Sequence, residues 1–99
     1  MKTIKIENKG KFNAVELIKT AVSVSSSGMS LDQMRGRIRV LDAIDAMREG
    51  ETRLILEDAD YTALSEAINA QPWAIADRDL LAVIDNILTP EKPAGLKAA

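Results

Sequence analysis

A chain of 99 residues, 46% of them hydrophobic, has the size and composition of one globular domain with a single core. It contains no cysteine and no histidine, which excludes disulfides, thiolate metal sites, cysteine nucleophiles and Ser-His-Asp chemistry, and removes the usual general base near neutral pH. The formal charge of −2 conceals an asymmetry, because residues 1–41 sum to +5 and residues 42–99 to −7. Such a split reads as a basic face for nucleic acid, as complementary faces pairing between copies, or as two halves that neutralise each other within one folded chain.

The first eleven residues carry charges and lack an apolar segment of signal-peptide length. Thr3-Ile4-Lys5-Ile6-Glu7 alternates with the period of a half-buried strand, and Asn8-Lys9-Gly10 reads as a turn. A helix follows. Asn13 is placed to cap it, Glu16 to reach back, Phe12 and Leu17 to close a hydrophobic staple, and Val15, Ile18 and Val22 to continue its apolar face. Ser23 to Gly28 is a loop, with the alternation Val22-Ser23-Val24-Ser25 leaving a short strand open.

The same start signature recurs at Ser30, with Gln33 at the reciprocal position and Met29 and Met34 at the staple. Met34, Ile38, Leu41, Ile44 and Met47 form the expected apolar stripe of this second helix, and Gly50 its left-handed end. Thr52–Glu57 is β-leaning, with Leu54 and Leu56 on one face, and is the natural partner of the first strand. Asp58 or Asp60 is expected to cap a third helix through Tyr61, Leu64 and Ile68, which Pro72 ends. Asp77 caps a fourth, with Leu80, Leu81, Ile84, Ile87 and Leu88 on one face and Thr89-Pro90 as its stop. The fold class is therefore α+β and mostly helical: about four helices and a small two-stranded sheet, in the order β-α-α-β-α-α. Residues 1–88 form the domain and 89–99 a flexible tail rich in Pro, Gly, Ala and Lys. With only three aromatics, Phe12, Tyr61 and Trp73, its core must be aliphatic.

Chemistry-bearing residues are few. Arg35, Arg37 and Arg39 suit phosphate contact, extended by Lys5, Lys9 and Lys11, although on a helix Arg37 projects about 200° from Arg35. The bland alternative is solvent-exposed ion pairing, Arg39 with Asp42 and Arg48 with Asp45. Gly36 costs about 1 kcal/mol inside a helix, and close approach of another backbone explains its presence better than tolerance does. Glu57, Asp58 and Asp60 are the notable acidic cluster. They fail the calcium-loop pattern, with Ala63 where glycine is needed and Asn69 where the last carboxylate belongs, and read as helix capping. Trp73, after Pro72, is either a core plug or an exposed anchor. Its glycines are isolated, so there is no phosphate loop.

Together, the run Gly28–Arg35, the turn Leu54–Tyr61 and the later Trp73 resemble small uncharacterised proteins encoded by bacteriophages and prophages, over roughly residues 28 to 88. The resemblance implies an accessory or assembly role, or interaction with a host or phage protein, and carries over no catalytic residue.

The sequence is therefore read as a cytoplasmic, non-enzymatic interaction or assembly module that self-associates, without cofactor, metal or membrane partner. Helix 31–48 and the Trp73 region supply the contacting surface through Arg35, Gly36, Arg39 and Trp73, with the basic half of one copy facing the acidic half of a neighbour. The alternative is a small nucleic-acid-binding regulator using Lys5, Lys9, Lys11, Arg35, Arg37 and Arg39.

Overall fold

A computed structural model describes residues 1–25, 28–73 and 75–91. Among them the elements run β1 (Lys2–Lys5), α1 (Ala14–Ser23), α2 (Leu31–Asp45), β2 (Arg53–Leu56), α3 (Asp58–Ala70) and α4 (Arg78–Ile87). This is the expected β-α-α-β-α-α order of an α+β, mostly helical domain. The strands pair antiparallel, with Lys2 opposite Leu56 and Lys5 opposite Arg53, so the one sheet element near the start is satisfied only by a strand half the chain away. Its other edge is partly covered too, because the Glu91 N–H donates to the Thr3 carbonyl at 2.7 Å. Residues 89–91, assigned to a tail on sequence grounds, are thus tied to the domain; residues 92–99, the rest of that tail, lie outside the described residues.

The helix starts are set locally. Asn13 Oδ1 accepts the Glu16 N–H, and Asn8 Oδ1 accepts that of Ala14. Ser30 and Gln33 complete a reciprocal capping box on α2. Asp77 Oδ1 accepts the N–H groups of Asp79 and Leu80 at the start of α4. Between β1 and α1 the chain reverses through Gly10, whose φ of +57° favours glycine and which lies against the Asp79 side chain.

The core is aliphatic. Ile4, Leu54 and Leu56 of the sheet meet Ile18 and Val22 of α1, Val40 and Ile44 of α2, Leu64 and Ile68 of α3, and Val83 and Ile87 of α4. Phe12 and Tyr61 pack against it from the side, and burial holds the Tyr61 phenol above its usual pKa.

Four local expectations are corrected. Val24, after α1, is extended but belongs to no strand. Helix α2 ends at Asp45, and Gly50, with φ +87°, serves a turn beyond it. Neither Asp58 nor Asp60 caps α3: the N-cap is Glu57, which makes no side-chain cap bond, and both aspartates sit in the first turn, where the helix dipole favours them. Most consequential, α2 buries Gly36, Arg37, Val40 and Ile44, while Met34 and Ile38 of the expected stripe are 46% and 49% exposed. Steps of three residues undershoot the 3.6-residue turn, so the apolar stripe winds about 60° per step. Only its end, at Leu41, Ile44 and Met47, meets the core. Leu81 of α4 is likewise exposed, and Val83 takes its place inside.

These placements make a direct prediction. Val40→Ala should destabilise the domain by about 2 kcal/mol, through lost burial and a cavity, whereas Ile38→Ala should cost under about 1 kcal/mol. Urea unfolding of the two variants checks the order, which the sequence stripe alone would reverse.

Candidate interaction surfaces

The residues proposed from sequence divide into those used within the chain and those left at the surface. Helix α2 packs chiefly on α3, and Gly36 lies at that seam: a Cβ there would come within 3.0 Å of the Ala63 Cβ. The close approach expected of Gly36 is therefore made by α3 of the same chain. Three residues on, Arg39 Nε donates to Asp60 Oδ1 at 2.7 Å, with the Asp60 side chain nearly buried. Arg39 thus pairs with Asp60 rather than Asp42 while its side chain stays 54% exposed, and Gly36 is buried at the seam.

Arg37 points the other way, to the end of α1. It is buried, and its Nη1 lies 3.5 Å from the carbonyl oxygens of Ala21, Val22 and Val24. The last carbonyls of a helix lack intrahelical partners and carry the negative end of its dipole. Helix α1 has no basic residue in its own last turn, so the cation is supplied across the fold. As a phosphate-binding group Arg37 is unavailable, so the six-residue cationic set loses one member, while Arg39 keeps an exposed side chain beside Asp60. Arg35 remains exposed beside Asp32, and Lys5, Lys9 and Lys11 are exposed at the β1–α1 end.

The charge asymmetry is also spent within the chain. Arg39–Asp60 and Lys19–Asp45 each join the basic half to the acidic half, and Asp79 lies against the Lys9-Gly10-Lys11 turn. Part of the asymmetry is thus met by contacts within the chain. In the acidic cluster, Asp60 faces Arg39, and Asp58 lies 3.0 Å from the α-amino group of Met1, which holds its carboxyl below the usual range. Among the described residues no three acidic side chains converge as a metal site would need, and no helix is long and apolar enough to cross a membrane.

Among the described residues, two groups of exposed apolar side chains stand out. One is a groove around Trp73, which is 38% exposed in the connection after α3 and is thus a surface residue rather than a core plug. On the α4 side Trp73, Ile75, Leu81 and Ile84 border a hollow of about 430 Å³; on the α1 side Phe12 and Leu17 border another of about 440 Å³. The two share Trp73, Ile75 and Leu80, and so lie side by side. Pro72 ends α3, and Asp77 starts α4, so the segment carrying Trp73 is pinned at both ends. The second surface joins Leu31 to the outward part of the α2 stripe, Met34 and Ile38; the three are exposed by 60%, 46% and 49%. Sequence reasoning missed it because Met34 and Ile38 were placed on the buried stripe; the winding of the stripe was the available signal.

Comparison with protein families, with curated proteins and with solved structures returned no match.

If Arg37 serves α1 rather than a phosphate, Arg37→Gln should lower stability by about 2 kcal/mol, since it leaves buried carbonyls unpaired, while Arg35→Gln should change it by less than about 0.5 kcal/mol. Thermal unfolding followed by circular dichroism distinguishes the two; equal, small effects would contradict the placement of Arg37.

Proposed function

We propose that the chain is a non-enzymatic, self-associating interaction module of the accessory or assembly kind, and that it makes its contacts through apolar surface centred on Trp73. The observation that carries this reading is the pair of adjoining hollows at which Trp73, Ile75 and Leu81 stay exposed although the same chain buries an aliphatic core elsewhere. Tryptophan supplies a large contact area at low entropic cost, and exposed apolar surface rimmed by polar groups is characteristic of contact sites. The rim here carries Lys11, Glu16, Asp77 and Arg78. The phage-protein resemblance of residues 28–35, 54–61 and Trp73 fits the accessory role.

Light scattering coupled to size exclusion tests it. The mass should rise above 10.8 kDa as concentration increases from micromolar towards millimolar, with little dependence on salt because the surface is apolar, and Trp73→Asp should shift that rise to at least tenfold higher concentration. A mass fixed at the monomer value throughout would overturn the reading.

A further inference from the structure

We infer that the two apolar surfaces are the two halves of one contact: the Leu31–Met34–Ile38 face of α2 seats in the Trp73 groove of a second copy, joining copies head to tail. The inference rests on the self-association proposed above and names both sides of it.

Shape supports the pairing. Leu31, Met34 and Ile38 stand at positions i, i+3 and i+7, the spacing with which a helix presents anchors to a hydrophobic groove. They span about 10 Å along the axis, and the hollows of about 430 and 440 Å³ that adjoin at Trp73 offer a place for such a row. Among the described residues both surfaces stay open: Leu31, Met34 and Ile38, and Trp73, Ile75 and Leu81, each remain at least 38% exposed.

Area supports it as well. At about 200 Å² for a large apolar side chain, the fractional exposures of Leu31, Met34 and Ile38 leave roughly 300 Å² bare, and those of Trp73, Ile75 and Leu81 about the same. Placing one on the other covers roughly 600 Å² of apolar surface, which at the usual apolar share corresponds to a contact of about 1,000 Å². That is the size of a weak, concentration-dependent interface. A two-fold dimer through either surface against itself would leave the other bare; only groove against stripe covers both with a single kind of contact.

Charge is compatible with the same pairing. Asp32 and Arg35 flank the stripe one turn apart, and the groove rim offers Lys11 and Arg78 against Glu16 and Asp77. Each flanking charge has an opposite available, which fixes register more than it adds affinity. Because the two surfaces differ, the contact is heterologous. It does not close at two copies and continues into a ring or an open chain.

The test uses two variants of the full chain, each altered only at exposed positions: a stripe variant, Met34→Lys with Ile38→Glu, and a groove variant, Trp73→Asp with Leu81→Glu. Circular dichroism melting establishes that both fold. In light scattering the wild type should grow past the dimer as concentration rises, and each variant alone should stay monomeric over the range where the wild type assembles. An equimolar mixture should form a 1:1 heterodimer and nothing larger, because it holds one intact stripe and one intact groove. If either variant alone assembles like the wild type, or if the mixture stays monomeric while the wild type assembles, the head-to-tail contact is overturned and self-association survives by another surface. A wild type that never assembles overturns both.

Discussion

The rotation of α2 about its own axis decides most of what this molecule presents to its surroundings, and the α2–α3 seam sets it. Gly36 has no side chain, so Ala63 can approach to within ordinary packing distance, and Arg39 locks the approach by pairing with the nearly buried Asp60. With those two positions held against α3, geometry dictates the rest. Arg37 falls towards α1, Val40 and Ile44 enter the core, and Leu31, Met34 and Ile38 turn roughly 140° away from the buried face. A larger residue at 36 would push the helices apart at the point where the ion pair needs them close. The glycine, which weakens the helix locally, therefore supports the packing.

The same rotation reassigns the charges. Three arginines within five residues suggest a cationic surface. Instead one serves the carbonyl end of α1, one the buried carboxylate of α3, and one faces solvent. Three ion pairs cross between the basic and acidic halves, so part of the asymmetry along the chain is met within the fold. Arg35, Lys5, Lys9 and Lys11 stay exposed, and so do two clusters of apolar side chains.

The sequence made legible those features that depend on neighbours a few residues apart. Asn13, the Ser30–Gln33 box and Asp77 cap as their positions require, Pro72 follows the end of α3, and the two β-leaning segments pair because neither can satisfy its backbone alone. Gly36 was legible as a close approach, although not which element approaches. Features fixed by distant partners were not legible. Arg37 bonds to residues thirteen to sixteen positions earlier, and Asp60 to one 21 positions away, so local spacing favoured Arg39–Asp42 and an Asp60 cap. The stripe of α2 misled for a geometric reason: five apolar residues at steps of three and four look continuous on paper, yet wind around the cylinder and cannot all face one core. Leu81 was misplaced similarly, and Trp73 was left open between core plug and anchor, because apolar character alone does not separate core from contact surface.

The orientation of α2 can be measured directly, since the chain has no cysteine of its own and single cysteines can report accessibility. With cysteine placed in turn at Met34, Ile38 and Val40, thiol labelling of dilute protein under native conditions should be fast at 34 and 38, near the rate of an unstructured thiol, and slower by at least a hundredfold at 40. Fast labelling at 40 together with protection at 34 and 38 in dilute protein would contradict the rotation, and with it the α2 stripe as a contact surface.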